Sequence, residues 1–356
     1  MKNKSIINLL IKHYKKYPQI QLQDMIKLIY QNEFAGGHLV KNETESLKLI
    51  KEEVLSAAQQ KVSFSIFENI GNGLFRLNLT SLKNSSIDLN TINRFFIYTA
   101  NSFKGSVQSF EKKLEIFKQC CKDGLLPYSL EETEAYLQTY KNQGYPPVSH
   151  SKIYKDAYLP AYRIVKKEFK QFFEIFCKID TLLKSLDNIT IAIDGKSGGG
   201  KSTLSALLNN IYNCNIFHMD DFFLRPELRT EARLNEVGGN VDYVRFKEEV
   251  LKNLKSGFEF KYQIYDCSKK ALGEYISVIP KKLNIIEGVY SMHPSLIKNY
   301  DLKIFINICS QKQSSRILKR NGDFMHKRFL NEWIPLENRY FNEMKIKEQC
   351  DLIYQI

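Results

Sequence analysis

Long apolar runs are missing from this 356-residue chain. No segment approaches the ~20 apolar residues that a membrane-crossing helix needs, so a membrane-spanning protein is not expected. The lysine-led start is followed by an apolar run too short for a signal-peptide core, interrupted by Lys12 and His13. Cysteine is sparse and unpatterned: seven residues, Cys120 and Cys121 adjacent, and no C-x-x-C. That argues against a disulfide frame or a zinc site and for reduced thiols in a cytoplasmic protein. There is no H-E-x-x-H, no arginine–aromatic cluster of the RNA-binding kind, no internal repeat and no low-complexity tract. Acidic residues are also short, 39 against 52 lysines and arginines, which leaves a net charge of +13. The excess is spread over both halves, with no basic arm. Such a field suits anionic ligands such as nucleotides, and equally a surface of solvated lysines.

What is present is ordinary for a globular chain, 43% hydrophobic and 26% charged residues. The length predicts about two domains. Residues 1–182 read as a mostly helical domain. "SIINLLIKHYKKY" and "LQDMIKLIYQNEF" carry apolar residues at helical spacing, ending at Pro18 and at Gly36–Gly37. "ESLKLIKEEVLSA" and "SFEKKLEIFKQCC" repeat that pattern. "GNGLFRLNL" alternates like a strand or an extended loop, "GYPPVSHS" is a turn-rich break, and "AYRIVKKEFKQFFEIFCKIDTLLKSL" reads as one long helical stretch. From residue 189 the rhythm changes. Short β-branched runs ("ITIAID", "CNIFHM", "LNIIEG", "LKIFINI", "DLIYQI") alternate with helical segments. That pattern predicts an α/β domain over 183–356, a parallel sheet flanked by helices.

The strongest local signal opens that second half. "GKSGGGKS", Gly195 to Ser202, fits G-x-x-x-x-G-K-[ST] between an expected strand and an expected helix. Gly195, Lys196, Ser197, Gly198, Gly199 and Gly200 would let backbone N–H groups converge on a phosphate, with close approach that side chains would block. The helix begun by Lys201, Ser202 and Thr203 offers its unpaired N–H groups to the same anion. Lys201 adds a point charge for the β- and γ-phosphates, and the Ser202 hydroxyl suits Mg²⁺. Phosphate binding alone does not separate kinases from other nucleotide users. The next strand is expected to deliver Asp220 and Asp221 at its carboxyl end, where open parallel sheets bind ligands. A carboxylate there can accept a proton from an attacking hydroxyl, or merely cap a helix or face a metal.

On these residues the chain resembles a known group. "IAIDGKSGGGKST", "FHMDDFF", "IIEGVYSMHP" and "LENRYF" are similar to the uridine kinase-like P-loop small-molecule kinases, including phosphoribulokinases and nicotinamide riboside kinases, over roughly residues 185–356. The resemblance implies ATP and Mg²⁺ as partners, with Asp220 as the base that activates the acceptor hydroxyl. It implies Glu287 near Mg²⁺ and substrate, so that Ser202, Asp220 and Glu287 are the candidate metal contacts. Asp221, a candidate substrate contact, stands where relatives vary, its D-D-F-F setting most like nicotinamide riboside kinases, and the "QIYDCS" pair Tyr265 and Asp266 fall where uridine kinases carry a substrate-facing segment. "SSRILKRNGDFMHKRF" resembles the start of a lid, a helix bearing Arg316 and Arg320 that runs into a mobile loop with Lys327 and Arg328. Arg320, then Arg316, would neutralise charge on the transferred phosphoryl group. The sequence departs from the group in its sparse lid arginines and in a long polar insert, "RPELRTEARLNEVGGNVDY", made flexible by Gly238 and Gly239.

Residues 1–182 resemble no family. Three of their stretches are chemically rich for loops: "NEFAGGHLV" (Glu33, Gly36, Gly37, His38), "GNGLFRLNL" (Arg76), and "YPPVSHSKIYKDAYLPAYRIV" (Ser149, His150, Ser151, with Tyr154, Tyr158 and Tyr162 every fourth residue). The tyrosines could line one helix face, although Pro160 would disturb it. They read either as packing between helices or as a second pocket for a substrate or an anionic regulator. The expected function is therefore transfer of the ATP γ-phosphate to a hydroxyl of a small metabolite, a nucleoside first. Two alternatives stay open: a non-catalytic ATP sensor, and a kinase with another acceptor such as nicotinamide riboside, a sugar phosphate or an RNA 5′-hydroxyl.

Overall fold

The computed structural model describes residues 2–36, 42–57, 65–83 and 85–356. The chain divides into two compact units, Met1–Thr181 and Leu182–Ile356.

The first unit is mostly helical, as the periodicity predicts. Helices α1 (Lys2–Lys16), α2 (Leu22–Phe34), α3 (Glu43–Ala57), α4 (Leu89–Ser102), α5 (Val107–Lys122), α6 (Leu130–Asn142), α7 (Lys152–Tyr158), α8 (Lys167–Gln171) and α9 (Phe173–Ser185) surround a small sheet; α9 runs past the unit boundary. The sheet is antiparallel, in the order β1 (Phe67–Gly71), β2 (Leu74–Asn78), β3 (Tyr162–Lys166). Asn72 and Gly73 close the β1–β2 hairpin with φ of 52° and 74°. Two successive positive φ values are what a two-residue hairpin turn demands, and Asn-Gly is the pair that accepts them. Every residue of β2 is buried, Arg76 included.

Two expectations for this unit need correction. The stretch from Ala161 is not one helix: Tyr162–Lys166 is a strand, held by β2 through Arg76↔Ile164 and Asn78↔Tyr162. Its β-branched Ile164 and Val165 find a sheet partner, and tertiary pairing overrides the helical pattern. The tyrosines also do not share one helix face. Leu159 turns left-handed at φ 43° and ends α7 before Pro160, so Tyr162 lies on β3. Gly37 and His38 lie outside the described residues.

The second unit holds β4 (Ile189–Gly195), α10 (Lys201–Tyr212), β5 (Asn215–His218), α11 (Glu231–Asn235), α12 (Tyr243–Phe246), α13 (Lys252–Ser256), β6 (Phe260–Asp266), β7 (Ala271–Val278), β8 (Leu283–Glu287), β9 (Leu302–Asn307), α14 (Ser310–Arg328), α15 (Ile334–Glu343) and β10 (Leu352–Gln355). A five-stranded parallel sheet runs β10-β9-β4-β8-β5, and β6–β7 form a separate antiparallel hairpin. The central strands β4 and β8 are almost wholly buried. Continuous apolar runs are what a sheet covered on both faces requires. This is the α/β arrangement, a parallel sheet flanked by helices, expected from the alternation of strands and helices. Here the lid expectation is corrected. Lys327 and Arg328 do not sit in a mobile loop. Helix α14 continues through both, broken only at Gly322 with φ 75°. The insert after β5 is ordered too, with α11 inside it.

Among the described residues no helix is long and apolar enough to cross a membrane.

Candidate functional site

The site lies at the carboxyl ends of β4, β5 and β8. Ile193 of β4 and His218 of β5 both pair with Glu287 of β8, which gathers three strand ends into one place. The loop from Gly195 to Gly200 then connects β4 to α10. A Cβ on Gly195 would overlap the Ile306 carbonyl oxygen of β9, so only glycine lets the loop leave the sheet there. Gly200 caps α10 at φ 100° with no side-chain acceptor for the first helical N–H groups. Those donors and the positive end of the helix dipole are free for an anion.

Lys201 is buried, with Nζ donating to the carbonyls of Gly195 (2.8 Å) and Lys196 (3.3 Å). An ammonium has three donors, so one remains for a phosphate oxygen. Arg316 of α14 donates to the carbonyls of Gly198 (3.0 Å) and Gly199 (3.4 Å), so it braces the loop from outside. Thr203 is exposed on the first turn of α10.

Glu287 is the polar hub. Its Oε1 accepts from the Ser202 hydroxyl (2.9 Å) and from His218 Nδ1 (2.6 Å). Burial raises the Glu287 carboxyl, but His218, Lys201 and Ser202 outweigh it and hold the pKa below its ordinary value. The same pair raises His218. The two neighbouring aspartates are treated differently. Asp221 is bound to the wall: its Oδ2 accepts from Tyr262 (3.2 Å), and Arg245 donates to its main-chain carbonyl (2.7 Å). Asp220 is open to solvent. Crowding by the cleft around it raises its pKa, with Lys201 pulling it back and Glu287 pushing it up. The charge of Arg320 also reaches Asp220, although Arg320 Nε itself donates to Asn321 (2.8 Å).

Two of the three expected metal contacts lie together. The Ser202 hydroxyl and the Glu287 carboxylate already meet, and Asp220 acts on the same charges. Among the described residues no group of three or more His, Cys, Asp and Glu side chains is placed to hold a metal ion.

Other expected residues fall elsewhere. Tyr265 is buried, its hydroxyl accepting from Arg229 (3.0 Å) of the insert. Asp266 ties its own turn, accepting from Ser268 N (2.9 Å) and Lys269 N (3.3 Å). Arg328 pairs with Glu332 (2.9 Å) and lies over the Trp333 ring.

Two carboxylates were not foreseen as site residues. Glu337, inside the quoted "LENRYF", accepts from the Ser197 main-chain N–H (3.0 Å) and from its hydroxyl. Asp194 is fully buried at the end of β4 and accepts from Gly195 N, Met292 N (3.0 Å) and the Tyr340 hydroxyl (2.8 Å). Burial pushes its pKa up to about 6. Asp194 was visible as a charge ending an apolar strand, a position that needs a partner.

Residues 190–324 match the model of the Phosphoribulokinase / Uridine kinase family. A curated protein of Vairimorpha ceranae described as "Probable cytidylate kinase" is 29% identical over 127 residues, 33% of this chain and 55% of that protein. The chain thus spans about half the length of the curated relative it matches. Among solved structures, a "Possible Uridine Kinase from Bacillus stearothermophilus" is 18% identical with a TM-score of 0.41, covering 52% of this chain and 99% of the other. A deoxyadenosine kinase from M.mycoides, solved with bound dATP, is 15% identical with a TM-score of 0.25, covering 47% and 89%.

Proposed function

We propose that the second unit is an ATP-dependent kinase that moves the γ-phosphoryl group to a hydroxyl of a small metabolite, a nucleoside first among acceptors. The observation that carries this reading is the contrast between the two aspartates. Asp221 is fastened to Tyr262 and Arg245, whereas Asp220 faces solvent beside Lys201 with its pKa raised. An unfastened carboxylate next to a phosphate loop is placed to take a proton.

The loop N–H groups, the start of α10 and Lys201 hold the β- and γ-phosphates. Mg²⁺ would be held by Ser202 and Glu287 with Asp220 adjacent, and would neutralise phosphate charge when bound. The acceptor oxygen forms its bond to the γ-phosphorus while the bond from the γ-phosphorus to the bridging oxygen breaks. The hydroxyl proton passes to Asp220 and ADP leaves. Arg320 and Arg316 flank the loop side, where charge spreads over the equatorial oxygens. Tyr262, which holds Asp221 next to the proposed base, supports the acceptor side. A raised Asp220 pKa suits the task, because a stronger base takes the proton more readily as long as it is ionised at working pH.

The test is ADP release by the purified chain against a panel of nucleosides, sugars and vitamin precursors, with Asp220→Asn as control. A kinase gives acceptor-dependent ADP release that the variant loses. Equal release with and without every acceptor, unchanged in the variant, would leave only a nucleotide-binding unit.

A further inference from the structure

Helix α15 meets the phosphate loop with a single face. Its buried residues are Glu337, Tyr340 and Phe341, at i, i+3 and i+4. That spacing sets the three side chains next to one another. Phe341 packs edge-on against Phe305 of β9, ring centroids 5.0 Å apart, which fixes the helix on the sheet. Glu337 and Tyr340 then grip the chain on either side of Gly195. The Tyr340 hydroxyl donates to Asp194 Oδ2 (2.8 Å), just before that glycine. Glu337 holds Ser197, two residues after it: Oε2 accepts from the main-chain N–H (3.0 Å) and Oε1 from the hydroxyl.

A carboxylate at this place needs a reason. The loop is suited to a polyphosphate, and Glu337, 4% exposed, carries charge of the same sign beside it. Burial raises its pKa, the Ser197 donors and Lys201 draw it back, and Asp220 pushes it up. Glu337 therefore lies within electrostatic reach of Lys201 and Asp220, the groups assigned to phosphate binding and proton transfer. Both of its oxygens already accept from Ser197, so the carboxylate is bound to the loop rather than offered to a ligand. Burying a charge is costly unless it is paired and hydrogen-bonded. What this one supplies is the posture of Ser197.

Posture matters because the loop has few donors to spare. The Lys196 N–H is taken by the Ile306 carbonyl (3.3 Å) and the Gly199 N–H by the Lys196 carbonyl (3.0 Å). The Ser197 N–H is taken by Glu337. Gly198 and Gly200 keep N–H groups with no partner among the described residues, next to those that open α10. Both glycines sit at positive φ, 73° and 100°, and have no side chain of their own to hold them there. Ser197 is the last residue before them that has a side chain. Glu337 pins it by main chain and side chain together. Arg316 braces the other flank through the carbonyls of Gly198 and Gly199.

We infer that Glu337 is a positioning residue of the nucleotide site: by clamping Ser197 it keeps the loop donors aimed before a nucleotide arrives, which makes α15 a working part of that site. Donors already in place need no ordering at the moment of binding, so phosphates bind more tightly. The inference rests on the nucleotide site of the kinase reading. ATP affinity is measured without an acceptor, so the two fail in different experiments.

The test is calorimetry of ATP with Mg²⁺ on the full chain, with Trp333 fluorescence giving the unfolding midpoint of each variant. Glu337→Ala is expected to weaken ATP roughly tenfold, the scale of one hydrogen bond to a charged group. Ser197→Ala, which loses the hydroxyl bond and keeps the N–H bond, should weaken it about threefold. The double variant should bind like Glu337→Ala alone, since the shared contact is already gone. Glu337→Gln should recover most of the loss, its amide oxygen accepting from the N–H and its amide N–H donating to the hydroxyl. Glu343→Ala, at an exposed position of the same helix paired with Arg339, should leave affinity unchanged. A merely structural Glu337 would lower the midpoint and leave the ATP affinity of the folded chain intact, and that result overturns the inference. So do single effects that add in the double variant, or Glu337→Gln binding as weakly as Glu337→Ala. If Glu337→Ala does not fold, Ser197→Ala decides alone, and parent-like affinity there overturns the inference. A parent chain that binds no ATP removes the kinase reading and this inference with it. ATP binding that depends on Glu337, without acceptor-dependent ADP release, supports the inference and strikes the kinase reading alone.

Discussion

The two units take charge out of water in opposite ways. The second unit does it over a few consecutive residues, from Asp194 to Ser202, with glycines and a helix end supplying the donors. The first unit does it with side chains drawn from α2, β1, β2, β3 and the segment before α7, where Asp24, Gln31, Glu68, Arg76, His150 and Tyr162 close on one another. A main-chain nest leaves its anion site open, because backbone donors cannot neutralise one another. A side-chain network neutralises most of its own charge and keeps only a small surplus. The first arrangement suits a highly charged substrate that comes and goes. The second suits rigidity.

The sharpest way to break this contrast is at Asp220. Asp220→Asn keeps the shape but removes the proton acceptor, so kcat should fall roughly 10²- to 10⁴-fold. The KM for ATP should change little, because the loop and Lys201 hold the nucleotide. Steady-state kinetics would check this. A fall in nucleotide affinity with kcat intact would make Asp220 a binding group instead.

Next in size is Arg76→Met. It removes one partner of a buried ion pair and leaves Gln31 and Glu68 with unmet acceptors. Breaking such a pair costs about 3–5 kcal/mol. Hydrogen exchange should show that loss within residues 2–181 and not in the strands of the second unit. Trp333, the sole tryptophan, reports the second unit by fluorescence and should keep its unfolding midpoint.

Acid should separate the units as well. His13 and His150 have pKa values lowered to about 4. Glu68 is lowered to about 2, where burial would raise it but Arg76 and His13 prevail, and Asp24 is lowered too. For all four the unfolded chain binds more protons than the folded one, so stability falls as pH falls. The histidine part is complete above about pH 6.5 and is lost toward pH 4. Asp194 has the opposite sign. Its pKa of about 6 lies above that of an unfolded aspartate, so the folded state gains protons first and is favoured as pH drops through 6. Urea titrations between pH 7 and 4.5, followed by exchange in the first unit and Trp333 in the second, should show the first weakening more. The same pH series on kcat/KM should place the acid limb above the ordinary carboxylate range, because activity needs Asp220 ionised and its pKa is raised.

How much of this could be read from residues alone follows the same division. The loop, α10 and the strand leading to Asp220 were legible because contiguous residues perform a contiguous task. The Asn72–Gly73 turn was equally legible in kind, though the stretch was read only as a strand or an extended loop. The pairing of β2 with β3 was not, because it spans residues far apart and Tyr162–Lys166 sits within helical periodicity. The network around Arg76 was hidden for the same reason. Its parts were each unusual, yet no spacing rule joins Tyr17 to Tyr158. Glu337 escaped because a carboxylate in a helix reads as solvated surface until the loop it faces is known.

The smallest effect is expected at Arg328, and it tests where the second unit stops being a site. Two arginines of α14 make contacts of different kinds. Arg316 donates to the carbonyls of Gly198 and Gly199, so it shares the phosphate loop. Arg328 lies past the break at Gly322, and its partner is Glu332, one turn on and itself about half exposed. An exposed i,i+4 pair contributes little to stability. Its stacking on Trp333 adds little more at a solvated position. Arg328→Ala should therefore shift the unfolding midpoint barely measurably and leave kcat within about twofold, whereas Arg316→Ala should lower kcat/KM for ATP roughly tenfold or more. A large kcat loss in Arg328→Ala with ATP affinity intact would mean that α14 bends at Gly322 during turnover and carries Arg328 to the phosphates.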